Sequence, residues 1–294
     1  MRVLILGATG MLGHKLAQVL AQRFEIYGTI RSNQSSYQDH PILGKIQLVE
    51  QVSVENWESV VEAVATVRPE VVVNCIGIVK QRDQAKAAIP SIQVNALFPH
   101  QLAKLCGTND ARLIHVSTDC VFSGSRGNYT EYDLPDAVDL YGRTKLLGEI
   151  NQRGSLTLRT SIIGWELKHR ASLLEWFATQ RGRTIRGYRK AIYTGLSTAT
   201  LAELIGDLIE TRPDLSGLYQ VASNPITKYD LLRCLRDALG WQDITIEPHD
   251  QFHCDRSLVG TRFEMATAWR APSWDEMIAG LAAEWPTYEE WRSQ

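Results

Sequence analysis

The chain has 294 residues, of which 44% are hydrophobic and 22% charged, with a net charge of −2. That balance suits one large globular domain, or one domain with an appendage, and offers no basic surface for nucleic acid or a lipid headgroup. No apolar run is long enough to span a bilayer, and no signal-peptide pattern precedes the first strand. Five cysteines (Cys75, Cys106, Cys120, Cys234 and Cys254) are odd in number and lack metal-type spacing, so they read as reduced thiols. A cytoplasmic protein with no metal, no nucleic-acid partner and no membrane partner is expected.

Arg2-Val-Leu-Ile-Leu6 is a short apolar β run of the kind found in the middle of a parallel sheet. It breaks at Gly7-Ala-Thr-Gly10-Met-Leu-Gly13 and passes into a helical pattern from His14 to Gln22. Glycines at such a point permit a tight turn, let backbone approach a pyrophosphate and pack helix on strand. The helix N-terminus offers amides to the phosphates. Strand, glycines and helix in this order predict a dinucleotide site at Gly7, Thr9, Gly10, Met11, Leu12 and Gly13. The second strand, Glu25 to Ile30, ends at Arg31 with no acidic residue to hold ribose hydroxyls. An arginine there suits a 2′-phosphate, so NADP(H) is favoured, with NAD as the lesser option.

Residues 33–45 read as a loop, Ile46–Val49 as a strand and Val54–Val67 as a helix. Pro69 to Gly77 is another buried parallel strand ending in small residues. Strand carboxyl ends face the ligand in a doubly wound sheet, which brings Asn74, Cys75, Ile76 and Gly77 to the cofactor's nicotinamide ribose and phosphates. The loop beyond, Ile78 to Asp83, contains Lys80 as a candidate substrate contact. Ser91 to Leu105 reads as one long helix, with Asn95 bonding neighbouring backbone.

Arg112 to Ser117 is a buried strand that stops at hydroxyl groups, Ser117 and Thr118. Tyr141-Gly-Arg-Thr-Lys145 opens a helix and sets a phenol and an ammonium at i and i+4, on one face. An ammonium beside a phenol favours the phenolate, and a nearby hydroxyl can orient a carbonyl. Chance often produces such a pair; the dinucleotide site upstream gives it weight. In one reading Thr118 holds a substrate carbonyl, Tyr141 protonates the developing alkoxide, and Lys145 bonds the nicotinamide ribose. In the other these residues cap a strand and a helix. Three motifs in order favour the first.

The glycine motif, Ser117-Thr-Asp-Cys-Val-Phe-Ser-Gly124, Tyr141-Gly-Arg-Thr-Lys-Leu-Leu-Gly-Glu149 and Leu158-Arg-Thr-Ser161 together resemble one branch of the extended short-chain dehydrogenase/reductases. That branch is the dTDP-4-dehydrorhamnose reductases, and the resemblance runs from residue 1 to about residue 225. It implies an α/β, doubly wound parallel sheet (a Rossmann fold) with a smaller C-terminal α/β substrate lobe. Residues 1–165 would form the NADP-binding domain, with segments of about 190–225 returning to it, and 166–294 would be mainly the substrate lobe. The implied reaction is NADPH-dependent reduction of a nucleotide-activated 4-keto-6-deoxy sugar, with Thr118, Tyr141 and Lys145 as the catalytic triad. Thr160 and Ser161 would lie by the nicotinamide, and Cys120, Val121 and Phe122 on the substrate side. The branch often has Tyr at Cys120 and Trp at Ile162, both facing the sugar. Cys at the position of Cys120 resembles the GDP-fucose synthases, where it is an acid/base for epimerisation; His169 is the nearest candidate for the second one. An epimerase or epimerase-reductase using Cys120, and a non-catalytic NADP-binding regulator, therefore stand beside plain reduction. A nucleotide sugar is the expected partner, and a homodimer is compatible.

In the C-terminal third, Ser172 to Arg181 reads as a helix. Arg183 to Lys190 is a cation-rich run, read as a solvated loop with one arginine a candidate for a pyrophosphate. Helices are expected at Ser197–Glu210 and Lys228–Leu239, and a late sheet strand at Gly217–Ala222. His249 and His253 are four apart, but Pro248 and mixed polarity argue for a loop rather than a metal helix. Arg256 falls in a segment that in the resembling family lies near the substrate nucleotide. Five of the eight tryptophans follow residue 240 and read as packing of the tail.

Overall fold

Apolar runs alternating with helical stretches build a seven-stranded sheet. The computed structural model describes residues 1–79, 87–168 and 170–293, so Lys80 and His169 lie outside the described residues. The sheet strands are β1 (Arg2–Leu6), β2 (Glu25–Thr29), β3 (Gln47–Val49), β4 (Val71–Asn74), β5 (Arg112–Thr118), β6 (Ser155–Thr160) and β10 (Gly217–Gln220). Their order is β10-β6-β5-β4-β1-β2-β3. β1 pairs in parallel with both β2 and β4, β2 with β3, and β4 with β5. The order reverses between β1 and β4, which is the switch point of a doubly wound sheet, where ligands bind outside the strand carboxyl ends. The late strand expected from residue 217 joins the sheet, at its edge beside β6.

The chain divides into two compact units. The first comprises Met1–Thr118, Val138–Arg159 and Ala202–Tyr219; the second comprises Asp119–Ala137, Thr160–Leu201 and Gln220–Gln294. In the first, α1 (Met11–Leu20), α2 (Trp57–Val67) and α7 (Thr198–Thr211, which begins in the second unit) accompany the sheet. Val60 and Val64 of α2 join Leu4, Leu6, Val72 and Leu113 of the strands in one buried core. The expected helix over 91–105 is broken in three: α3 (Ala88–Ser91), a π-helical turn (Ile92–Leu97) and α4 (Phe98–Thr108). Within the turn the Phe98 amide bonds the Gln93 carbonyl five residues back, and Pro99 has no amide to lose. Residues 33–45 contain two 3₁₀ turns rather than irregular loop only. Tyr141 and Lys145 both sit on α5 (Leu140–Leu147).

In the second unit, β7 (Ile162–Ile163) pairs with β9 (Leu196–Ser197), and β8 (Thr184–Tyr193) lies between β11 (Ile226–Thr227) and β12 (Thr245–Asp255). Its helices are α6 (Leu173–Ala178), α8 (Lys228–Ala238), α9 (Thr261–Thr267) and α10 (Trp274–Ser293). Two expectations are corrected here. The cation-rich run is strand β8, with Ile185, Gly187, Ala191 and Tyr193 buried while Arg186, Arg189 and Lys190 are exposed. Gly187 hides that alternation in the sequence, and Arg189 pairs with Asp250 of β12. The stretch around the two histidines is β12, an edge strand, where Pro248 is tolerated because its missing amide can face outward. A bulge between His249 and His253 breaks its alternation. The tail tryptophans do pack. Trp165 is fully buried, its ring 4.7 Å from that of Trp285, and Trp241 meets Trp285 edge-on at 5.1 Å.

A buried ion pair holds the ends of β5, α5 and β6 in the first unit. Arg159 Nε and Nη2 donate to the two carboxylate oxygens of Glu149 at 2.9 and 2.7 Å, and Ser117 Oγ donates to Glu149 at 2.7 Å. Arg159 and Glu149 side chains are only 4% and 8% exposed. Removing one partner of such a pair strands the other charge and costs about 3–5 kcal/mol. Arg159→Met is therefore expected to lower the urea unfolding free energy by about that amount. A midpoint within error of the wild type would show that the pair is dispensable.

Candidate active site

The glycine turn is a product of close packing at the switch point. Gly7 has φ +82°, and a Cβ on it would press on Ile76 at 3.0 Å, so the ends of β1 and β4 touch there. A Cβ on Gly13 would collide with the Gly7 carbonyl oxygen, which is how α1 comes down onto the strand end. Gly7 N donates to Thr29 Oγ1 at 3.0 Å and Ala8 N to the Thr29 carbonyl at 3.1 Å, tying the turn to the end of β2. His14, fully buried, holds Gly10 O at 2.7 Å; burial drives its pKa down to about 3 against that bond, so the ring is neutral. Gly10 caps α1 without any side-chain hydrogen bond. The first-turn amides, beginning at Met11 and Leu12, thus keep their donors for an anion. With Thr9 in the same turn, the six residues named from the sequence lie together, and the uncapped helix end above small residues fits a dinucleotide's phosphates. Arg31 is exposed just past the end of β2, within electrostatic reach of Glu55.

The loop after β4 is fixed by two buried amides. Asn74 Oδ1 accepts from Ile76 N at 3.0 Å while its Nδ2 meets His115 Nδ1 at 3.1 Å. Burial, with Lys145 and His100 adding to it, lowers the His115 pKa well below its usual value. The ring is therefore neutral, with Nδ1 as acceptor. Asn95 of the π turn accepts from Ile78 N at 2.9 Å and donates to Ile78 O at 3.0 Å. It also reaches Thr144 Oγ1 on α5 at 3.4 Å. One side chain thus links the loop carrying Cys75, Ile76 and Gly77 to the helix carrying Tyr141 and Lys145. Burial pushes the Cys75 thiol up to about 12, which keeps it neutral.

Asp139 caps α5 by accepting from Gly142 N at 2.8 Å, setting Tyr141 in the first turn and Lys145 one turn on. Tyr141 is half-buried, and Thr118 ends β5 at 8% exposure. Lys145 is buried and donates to Val116 O at 2.8 Å. Burial lowers its pKa to about 8, against the Glu149 carboxylate, which holds it up. The first unit alone therefore assembles the expected triad residues on two adjoining elements, a strand end and a helix start.

The remaining named residues lie in the second unit. Cys120 sits half-buried in a 3₁₀ turn, Asp119–Val121. Val121 and Phe122 bury their side chains, Phe122 stacking on Tyr129 with centroids 4.1 Å apart. Arg256 Nε donates to Phe122 O at 2.8 Å and so braces that turn. Thr160 is buried, and Ser161 O accepts from Leu196 N at 2.9 Å. Sequence reasoning did not foresee His14, His115 or the Glu149–Arg159 pair as parts that shape the site, and it expected Asn74 at the cofactor without seeing its bonds to Ile76 and His115. It saw Asn95 as structural without seeing what it joins. Among the described residues no group of three potential ligands could hold a metal ion, and no helix is long and apolar enough to cross a membrane.

Comparison with known proteins follows the same lines. Residues 1–258 match the family described as the RmlD substrate binding domain. A Haloferax volcanii protein described as a probable low-salt glycan biosynthesis reductase is 26% identical over 268 residues, 87% of this chain and 86% of its own. Methionine adenosyltransferase 2 subunit beta of Rattus norvegicus is 27% identical over 265 residues, 84% of this chain and 75% of its own. The fold is that of dTDP-4-dehydrorhamnose reductase from Bacillus anthracis, solved in complex with NADP: TM-score 0.78 and 22% identity, covering 96% of this chain and 99% of that one. These matches bear out the expected class, a nicotinamide-dependent oxidoreductase of the extended short-chain dehydrogenase/reductase superfamily.

The lowered Lys145 pKa has a measurable consequence. Between about 8 and its ordinary value of 10.5, the unfolded chain holds a proton that the folded one has released. Stability from this group thus rises with pH across that window, by up to about 1.4 kcal/mol per pH unit. Lys145→Met should flatten that part of the stability–pH curve. Parallel curves for the two proteins would contradict the buried ammonium.

Proposed function

We propose that this chain, which belongs to the RmlD substrate binding domain family, is an NADPH-dependent reductase of a nucleotide-activated 4-keto-6-deoxy sugar. The observation that supports it most is the buried Lys145 ammonium, bonded to Val116 O near the end of β5 and one helical turn from Tyr141. Bound NADPH would supply the hydride. The residues to hold it are Gly7, Thr9, Gly10, Met11, Leu12, Gly13 and Arg31, the loop Cys75, Ile76 and Gly77, and Thr160 and Ser161. Thr118 donates a hydrogen bond to the keto oxygen and orients it. Tyr141 gives its phenolic proton to that oxygen as negative charge develops there. Lys145 spends one donor on Val116 O and has two left, for a ribose hydroxyl and for the phenolate left on Tyr141.

Cys120, Val121, Phe122 and Arg256 make up the proposed substrate side in this reading. Arg256 already donates to Phe122 O, which suits a role in setting the turn that carries Cys120. A non-catalytic NADP-binding regulator is the alternative reading. Turnover decides between them. Incubated with NADPH and a panel of nucleotide-4-keto sugars, the wild type should consume NADPH with at least one of them. Tyr141→Phe should lose roughly 10²–10⁴-fold of that rate while still binding cofactor. Undiminished turnover in the variant would sink the triad, and no turnover with any sugar would favour the regulator.

Cofactor choice is tested separately at Arg31. Its guanidinium is suited to charge-assisted bonds with a 2′-phosphate, each worth about 1.5–3 kcal/mol. Arg31→Ala should weaken NADPH binding by about tenfold or more and leave NADH binding nearly unchanged. Equal wild-type affinity for the two cofactors would show that Arg31 points elsewhere.

A further inference from the structure

One lysine in the second unit breaks the local rules without a compensating bond. Lys228 is the first residue of α8, at the end where the helix dipole is positive and a cation is disfavoured. The cap beside it is fully engaged: Thr227 Oγ1 donates to Asp230 Oδ2 at 2.6 Å and accepts from Asp230 N at 2.9 Å. Nothing there needs the lysine. Its Nζ lies 3.8 Å from the centroid of the Tyr193 ring, a cation–π contact. Among the described residues that ammonium has no hydrogen-bond acceptor and no carboxylate within ion-pair distance. Burial lowers its pKa to about 8, although Asp119 holds it up. Tyr193 beneath it is buried, bonds the Ser161 side chain, and has its own pKa raised by that burial, so the ring is a neutral floor.

The surroundings narrow what the three N–H donors are for. Asp119 and Cys120 follow Thr118 directly in the chain, and both act electrostatically on Lys228. Lys228 and Asp119 cancel in charge, so this patch is close to neutral. A diphosphate would meet Asp119 as well as the ammonium. A neutral polyol meets donors and an acceptor near an aromatic ring, without a charge of its own to place.

We infer that Lys228 is a sugar-binding residue, its ammonium held on the Tyr193 ring so as to donate hydrogen bonds to hydroxyl oxygens of the hexose beside Cys120. The inference deepens the reading of the chain as a sugar-nucleotide reductase and rests on it. It also assigns a role to a side chain that neither the glycine motif nor the Tyr141/Lys145 pair accounts for. Tyr193 fixes the ammonium's position, and Asp119 lies within electrostatic reach of it.

Binding to the full chain tests this without requiring turnover. Affinities of the wild type, Lys228→Met and Lys228→Arg would be measured by calorimetry for three ligands: NADPH, dTDP alone, and dTDP-glucose as an unreactive sugar nucleotide. A lost bond from a charged donor predicts dTDP-glucose binding weakened about tenfold to a hundredfold in Lys228→Met, with NADPH and dTDP within about twofold of wild type. Lys228→Arg, which keeps the charge and the ring contact, should recover part of that loss. If Lys228→Met binds dTDP-glucose as the wild type does, the inference fails and the reductase reading stands. If dTDP and dTDP-glucose weaken equally, the lysine contacts phosphate and the sugar assignment is overturned. If the wild type shows no gain from any nucleotide sugar over its nucleotide, the reductase reading itself fails and takes this inference with it. Thermal unfolding of the variants at the wild-type temperature shows that a loss of binding is local.

Discussion

The Arg159–Glu149 fork, with Ser117 as its third member, is the interaction on which the first unit's chemistry depends. A charged pair this deep is expensive to desolvate and is held only because its geometry is bidentate and a hydroxyl adds a further bond. Its three contributors come from three segments that each carry a proposed reacting or binding residue. Ser117 precedes Thr118, Glu149 follows the helix of Tyr141 and Lys145, and Arg159 precedes Thr160. Fixing the fork fixes where all three segments stop. A hydrophobic replacement of equal volume could stabilise the sheet as well, but it would not set those ends in register with one another.

A second constraint follows from the reversal of strand order between β1 and β4. Strands parallel to one another present their carboxyl ends on one side, and the reversal leaves a gap there that no crossover helix fills. The glycine turn, the Asn74 loop and the uncapped start of α1 all open at that gap. Neutral histidines support it from beneath: His14 under Gly10 and His115 beside Asn74. Both are denied a charge by burial, so each serves as a fixed hydrogen-bonding wedge rather than as a titrating group.

How much of this was legible in the sequence depended on whether the signal was local. Arg2–Leu6 and Val71–Asn74 announce themselves as buried parallel strands because Val3–Leu6 and Val71–Val73 are unbroken apolar runs. Gly7, Gly10 and Gly13 announce the turn, and Tyr141 with Lys145 announce a helix face. What the sequence withheld was long-range. Nothing near Glu149 says that Arg159 and Ser117 converge on it, and nothing near Asn95 names Ile78. Strand β8 was hidden because Gly187 interrupts its apolar face while cations crowd the other. Strand β12 was hidden by a bulge and by Pro248, both of which an edge strand tolerates. Lys228 was invisible for the opposite reason: a lysine at a helix start looks like solvated surface until the Tyr193 ring is found beneath it.

The π turn at Ile92–Leu97 is best understood as an α-helix that carries one residue too many. Removing any one residue there would restore regular i→i−4 bonding through to α4, a gain in local order. It would also rotate everything upstream by about 100° relative to everything downstream. Asn95 would then swing off the Ile78 peptide, and the loop after β4 and the helix of Tyr141 would lose a side chain that joins them. The shortest change that relaxes the helix is thus also one that removes a link between the two halves of the candidate site.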